Sequence, residues 1–155
     1  RNSSSAASDV YKRQALSNIY ALKLLGANIK LSCPLSLIPR EIESLDVSIE
    51  TDILKALKWC DAANVLRVQK ERMDKSYFPN NREYSMLFGL DTNKINNVKK
   101  DILILHPGPI NRGVEITSEI VESNNSIILD QVENGVAIRM AIIYLLASKM
   151  NFSIN

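Results

Sequence analysis

The spacing of apolar residues changes between helical and strand periodicity along the chain. Apolar residues from Leu16 to Leu24 recur at helical spacing, and Gly26 stands where a helix C-cap is expected. Further helices are predicted over 40–45, 52–59 with Asp52 as N-cap, 92–98 and 131–148. Alternating or apolar runs predict strands over 28–33, 47–50, 63–68 and 102–105. This alternation favours an α/β fold, a doubly wound, Rossmann-like domain of three layers with a mostly parallel sheet.

The last predicted helix is the most apolar part of the chain. Beyond Val136 its apolar residues cover nearly the whole circumference, interrupted by Arg139 and Lys149. A helix of this kind is typical of a protein interior, so we predict a buried C-terminal helix. Because no run of about 18 uninterrupted apolar residues occurs, we expect no membrane partner.

The first 14 residues differ in composition from the rest. They are rich in serine and asparagine and have no apolar periodicity, a composition that favours disorder. The string SSAASDVYKRQ also resembles a translated sequencing-library adapter. We therefore expect residues 1–14 to be a disordered or artefactual leader and residues 15–155 to form one domain.

The net charge of the chain is small and unevenly placed. The formal net charge is +2, and residues 1–14 hold three basic residues and one acidic residue, so the remainder is neutral. A neutral domain has no electrostatic footprint for nucleic acid, and we expect no nucleic-acid partner.

The two cysteines, Cys33 and Cys60, lie far apart, and no cysteine or histidine stands at a metal-ligand spacing. We predict two free thiols in a reducing, cytoplasmic environment rather than a disulfide or a metal site.

One segment with candidate chemistry is Leu66–Met73, directly after a predicted strand. The planar guanidinium of Arg67 suits a carboxylate or a phosphate, and Glu71 could hold it in one orientation. The alternative is the start of a surface helix, in which these charges are simply solvated.

A second segment, His106 to Glu115, follows the last predicted strand. Pro107 and Pro109 flank Gly108 and fix an extended backbone whose carbonyls remain available as hydrogen-bond acceptors. A cis Gly108–Pro109 bond is plausible. The alternative is a rigid turn, and a lone histidine such as His106 is more often structural than a general base. Ligands of such sheets bind beyond the carboxyl ends of the strands, where both segments lie.

Several stretches resemble one enzyme family. VLRVQKERM and HPGPINRGVEI are similar to signature segments of aspartate carbamoyltransferase catalytic chains. ALSNIYALKLLGANIKLSCPLSLIP resembles the start of that family's aspartate domain, and NGVAIRMAIIYLL resembles its terminal helix. The related ornithine enzymes carry Cys-Leu-Pro where this chain has Pro107, Gly108 and Pro109, so the aspartate branch fits better.

The resemblance implies transfer of a carbamoyl group from carbamoyl phosphate to L-aspartate in pyrimidine biosynthesis, without a metal or another cofactor. Arg67 and Gln69 match residues that bind aspartate, and Glu71 matches a glutamate that helps to orient the arginine. Pro107 and Gly108 match positions whose backbone carbonyls accept hydrogen bonds from the reacting nitrogen groups.

Other positions follow from the same resemblance. Pro109 belongs with Pro107 and Gly108 on the carbamoyl-phosphate side of this half. Arg13 falls on the place of a second aspartate-binding arginine, although it lies within the adapter-like string. Residues 74–86 match a segment that moves when the enzyme closes.

The resemblance covers only the aspartate-binding half of the family. The phosphate-binding Ser-Thr-Arg-Thr loop and the His-Pro-Thr-Gln segment of the family do not occur in this sequence. The chain alone is therefore expected to be inactive, and residues 136–146 are expected to expose apolar surface. The family's unit is a homotrimer, and a regulatory chain is a possible further partner.

Two alternatives remain beside this reading. One is a non-catalytic chain of the same family that serves as a structural partner. The other is an unrelated nucleotide-binding module, which the absence of a glycine-rich phosphate loop after any predicted strand disfavours.

Overall fold

The computed structural model describes residues 5–38, 40–68, 81–98 and 101–149. Helices and strands alternate along it. The α-helices are α1 Ser5–Leu24, α2 Ile53–Trp59, α3 Asn81–Phe88, α4 Thr92–Asn96, α5 Ser118–Val121 and α6 Ile128–Lys149. The strands are β1 Lys30–Leu31, β2 Ser48–Ile49, β3 Ala62–Asn64 and β4 Leu103–Leu105, and 3-10 helices form at Leu35–Leu37 and Arg40–Leu45.

The strands pair in parallel, as the alternation of helices and strands predicted. Strand β1 pairs with β2, and β3 pairs with β4 in a register that sets Ala62 opposite Leu103 and Asn64 opposite Leu105. The α/β class is therefore confirmed. In the described residues the four strands form two two-stranded sheets rather than one. A cavity of about 1230 Å³ lies between the pairs, lined by residues of both β1 and β3.

Local signals set several helix ends. Gly26 adopts φ +76°, and the amides of Gly26 and Ala27 donate to the carbonyls of Lys23 and Leu22, which ends α1. The Asp52 carboxylate accepts from the amides of Leu54 and Lys55 and starts α2. Both capping residues were predicted from the sequence, and both predictions are confirmed.

Helix α1 begins earlier than its apolar spacing indicated. It starts at Ser5, so residues 5–14 are helical where their composition predicted disorder. Composition measures how much apolar surface a segment can bury, whereas the backbone here continues without a break into the apolar turns after Leu16.

The core lies around β3 and β4. Its buried side chains come from α2, β4, α4, α5, the start of α6 and the segments between them: Leu57, Leu90, Ile95, Ile102, Ile104, Ile116, Ile120 and Ile128. Ile102 and Ile104 are fully buried at 0% exposure. This core holds the carboxyl ends of β3 and β4 in place.

Helix α6 is not buried, and that part of the predicted fold is wrong. Only its first residue, Ile128, belongs to the core. Ile143 is 67% exposed and Tyr144 is 74% exposed. A helix that is apolar on every side needs cover on every side, and the described residues pack against only its beginning. The expected exposure of apolar surface over 136–146 is confirmed.

The strands are shorter than their apolar runs suggested, and two helices were not predicted. Helix α3 carries Tyr84, Leu87 and Phe88 at helical spacing, but no helix was predicted there. The four-residue α5 is too short to show a periodicity of its own. Cys33 and Cys60 are free, as predicted. Among the described helices, none combines the length and apolarity needed to cross a membrane.

Candidate functional site

The two segments with candidate chemistry meet at one edge of the β3–β4 pair. Both strands run in the same direction, so the chain leaves Asn64 and Leu105 at the same end. The Val65 amide donates to the Leu105 carbonyl at 2.8 Å and extends the pairing one step further. The residues that follow, 66–68 and 106–111, therefore lie side by side.

Asn111 joins these segments through both ends of its side chain. The Arg67 Nε donates to Asn111 Oδ1 at 3.4 Å. Asn111 Nδ2 donates to the Val68 carbonyl at 2.6 Å. The guanidinium proposed to hold a carboxylate is thus tied to the loop that contains Pro107, Gly108 and Pro109.

The Pro107–Pro109 loop matches its predicted backbone only in part, because the chain bends at Gly108 instead of running extended. The Gly108–Pro109 peptide bond is cis, and Gly108 adopts φ +66°, a conformation that favours glycine. Pro107 and Pro109 are exposed. Within the described part of the chain, the Pro107 and Gly108 carbonyls accept no backbone hydrogen bond. These carbonyls remain available to a ligand that carries N–H groups.

His106 and Glu115 lie beneath this loop, with exposures of 0% and 1%. The Gly108 amide donates to His106 Nδ1 at 2.9 Å, so Nδ1 is an acceptor and a neutral ring carries its proton on Nε2. His106 Nε2 lies 3.4 Å from Glu115 Oε1, within ion-pair range but without hydrogen-bond geometry. The histidine sits under the loop and supports it, in keeping with the structural role predicted for it.

Glu115 closes the other side of the loop. Its Oε1 accepts a hydrogen bond from the backbone amide of Asn111 at 2.5 Å, while Oε2 has no hydrogen-bond partner among the described residues. Burial raises the pKa of Tyr84 above its usual range, and the charges of Cys33 and Glu115 act in the same direction. The charge of Glu115 therefore acts on Tyr84, a residue of α3.

Sequence reasoning singled out neither Asn111 nor Glu115. The signal for Glu115 was available, because a carboxylate between the apolar residues Val114 and Ile116 is rarely buried without a specific contact. Asn111 offered no such signal, since an asparagine in a turn is common and its partners lie 43 and 44 residues away.

The structure describes only some of the remaining predicted site residues. Gln69 and Glu71 lie outside the described residues. Arg13 lies on α1 with an exposed side chain, and its role in binding aspartate stays a prediction. Arg67 also borders the cavity between the strand pairs. In the part of the chain that the structure describes, no group of three or more His, Cys, Asp or Glu residues could hold a metal ion.

Comparison with known proteins gives a consistent result. Residues 6–146 match the family described as aspartate/ornithine carbamoyltransferase, Asp/Orn binding domain. The aspartate carbamoyltransferase catalytic subunit of Flavobacterium psychrophilum is 60% identical over 141 residues, which cover 91% of this chain and 46% of that subunit. The corresponding subunit of Gemmatimonas aurantiaca is 48% identical over 138 residues, covering 89% of this chain and 43% of that subunit.

Solved structures share the fold. Aspartate transcarbamoylase from Trypanosoma cruzi in complex with carbamoyl phosphate has a TM-score of 0.62 and 22% identity, covering 74% of this chain and 39% of that one. Ornithine carbamoyltransferase from Burkholderia thailandensis has a TM-score of 0.59 and 19% identity, covering 81% of this chain and 40% of that one.

The extent of these matches defines what the chain corresponds to. The chain spans about half the length of the curated relatives it matches. The family match covers most of the chain and includes both segments that meet at the strand ends. The chain therefore belongs to the aspartate/ornithine carbamoyltransferase family, in which it matches the Asp/Orn-binding domain.

Proposed function

We propose that this chain is the aspartate-binding half of an aspartate carbamoyltransferase of pyrimidine biosynthesis. The observation that carries the proposal is the contact between Arg67 and Asn111, which sets a carboxylate-binding fork beside a loop with available carbonyls. The names of the most similar relatives favour aspartate over ornithine as the acceptor. The resemblance of the Pro-Gly-Pro loop to the aspartate branch supports the same choice.

The proposed reaction is the transfer of a carbamoyl group. The nitrogen lone pair of the aspartate amine attacks the carbonyl carbon of carbamoyl phosphate and forms a C–N bond. The bond from that carbon to the phosphate oxygen breaks, and its electron pair leaves with phosphate. The nitrogen gives one proton to the departing phosphate, and the product is N-carbamoyl-L-aspartate. Such a reaction is accelerated mainly by orientation and by charge stabilisation, which fixed donors and acceptors provide.

The residues of this chain divide these tasks. Arg67 binds a carboxylate of aspartate through its planar fork, with Gln69 beside it and Glu71 as an orienting residue. The Pro107 and Gly108 carbonyls, in the loop that ends at Pro109, accept hydrogen bonds from the reacting nitrogen groups. Arg13 is proposed as a second arginine for aspartate. No cofactor and no metal takes part in this scheme.

The rest of the machinery is proposed to lie in another domain. The phosphate-binding loop expected for the family does not occur in this sequence, so carbamoyl phosphate is held mainly by other residues. We infer a homotrimeric enzyme, with a regulatory chain as a possible further partner. A cytoplasmic location suits the two free cysteines.

A hybrid subunit tests the function. This chain replaces the 141-residue match in the Flavobacterium psychrophilum subunit, and formation of N-carbamoyl-L-aspartate is measured. We expect turnover by the hybrid and none by the 155-residue chain alone. Arg67→Ala should lower kcat/KM for aspartate by about 100-fold, because a charged, forked hydrogen bond is lost.

Two variants control for charge and shape. Arg67→Lys keeps the charge but loses the fork, so most of the defect should remain. Lys55→Ala removes an exposed cation on α2 and should leave kcat/KM within about twofold. Turnover that is insensitive to Arg67→Ala would contradict the proposed aspartate site. A hybrid that assembles but never turns over would favour the structural-partner alternative.

A further inference from the structure

The side chain of Asn111 hydrogen-bonds to both Arg67 and Val68. Its Oδ1 accepts from the Arg67 Nε, and its Nδ2 donates to the Val68 carbonyl at 2.6 Å. An amide is suited to this position, because it offers an acceptor and a donor on opposite sides of one planar group. Neither an aspartate nor a leucine of similar size could make both contacts.

Buried residues also hold the backbone of Asn111. Its backbone amide donates to Glu115 Oε1, and that oxygen also faces His106 Nε2 at 3.4 Å. His106 in turn accepts from the Gly108 amide. A buried imidazole and a buried carboxylate thus contact the loop by one hydrogen bond each, at Gly108 and at Asn111.

We propose that Asn111, held by the buried Glu115–His106 pair, is the positioning residue that fixes the Arg67 guanidinium against the Pro107–Pro109 loop. This inference rests on the proposed function, because the position of Arg67 matters only if Arg67 binds substrate. Asn111 acts through Arg67 and does not touch the reacting atoms. It links the acceptor side of the site to the side of the available carbonyls.

The first test uses the 155-residue chain itself. The Arg67 Nε–H signal is followed by NMR, with hydrogen exchange as the readout. Asn111→Ala should speed exchange of this proton by about tenfold, because its acceptor is removed. Asn125→Ala is the matched control. It removes an asparagine amide that donates to the Ile102 carbonyl at 3.0 Å, away from Arg67, and should leave that exchange rate unchanged.

The second test uses the hybrid subunit. Asn111→Ala keeps the hydrogen bond from the backbone amide to Glu115, so only the contacts of the side chain are lost. We expect the KM for aspartate to rise by about tenfold, while the KM for carbamoyl phosphate changes by less than about twofold. In an Arg67→Ala background, Asn111→Ala should add less than about twofold, because residues that act through one another are not additive.

A second variant covers the case in which Asn111→Ala does not fold. Asn111→Asp keeps the shape and an acceptor for Arg67, but it sets a negative charge where the substrate carboxylate should bind. The KM for aspartate should again rise. An unchanged KM in this variant would overturn the proposal.

The outcomes separate the two proposals. An active hybrid that needs Arg67 but tolerates Asn111→Ala as well as Asn125→Ala overturns the role of Asn111 alone. Additive losses in the Arg67→Ala background do the same. An active hybrid that is insensitive to Arg67→Ala overturns the proposed site and, with it, this inference.

Discussion

Two apolar regions of this chain have opposite surroundings. The closed region, which consists of the core around β4 and the His106–Glu115 pair, is sealed from solvent, with Ile102 and Ile104 at 0% exposure. The open region, residues 136–146 of α6, is at least as apolar in sequence, yet Ile143 is 67% exposed. Even two charged or polar side chains, those of Glu115 and His106, are better buried than the isoleucines of α6.

The difference shows what hydrophobicity in a sequence measures. It measures the free energy available from covering a surface, and it does not identify the element that covers it. In the closed region the cover comes from neighbouring elements of the same chain, such as α4, α5 and the segment around Ile116. For the open region, no comparable cover comes from the described residues.

The largest expected effect comes from matched isoleucine truncations in the two regions. Ile104→Ala should lower the free energy of unfolding by about 2–5 kcal/mol, because it leaves a cavity in a closed core. Ile143→Ala should change it by less than about 0.5 kcal/mol in this chain, because the side chain is already exposed. Urea unfolding of both variants measures the pair. Equal losses would mean that α6 is covered in solution.

Replacing each of two glycines by alanine should change the stability by a smaller amount, and the two changes should be opposite in sign. A Cβ at Gly89 would lie 2.5 Å from the Val114 carbonyl oxygen and 2.6 Å from that of Ser85, so Gly89→Ala should destabilise the chain by about 1–3 kcal/mol. A Cβ at Gly135 in α6 would lie 3.6 Å from its nearest neighbour outside the helix backbone, a guanidinium nitrogen of Arg139. Gly135→Ala should therefore stabilise the chain by about 0.5–1 kcal/mol through helix propensity.

Thermal melts compare these two glycine variants with the unsubstituted chain. A loss of stability in both would show that α6 is as tightly surrounded as the turn at Gly89, and the contrast between the closed and open regions would fail.

A further effect is a dependence of stability on alkaline pH. Burial raises the pKa of Cys33 from 9.0 to about 11. Between these values the folded chain holds a proton that the unfolded chain has lost, so stability should fall as pH rises from 9 to 11. Urea midpoints across this range measure the slope. Cys33→Ala should reduce it, whereas Cys60→Ala should not, and an equal slope in both variants would contradict the assignment.

Much of the local structure was predictable because the signals act over a few residues. Gly26 and Asp52 end and begin helices through contacts within four residues, and the cis Gly108–Pro109 bond was plausible because cis bonds concentrate before proline. Helix α3 was not predicted, although Tyr84, Leu87 and Phe88 stand at helical spacing in it. The contacts of Asn111 and Glu115 were not predicted, because they depend on how distant parts of the chain pack together.

By itself the sequence determined the α/β class, the order of the strands, the family, and the segments around Arg67 and Pro107 as the places to look for chemistry. Each of these rests on local propensity or on contiguous motifs. Only the tertiary structure decided that Arg67 reaches Asn111, that a glutamate is buried under the loop, and that α6 stays uncovered. The physical reason is that contacts across 44 residues, and the cover that a hydrophobic surface receives, depend on how the elements pack.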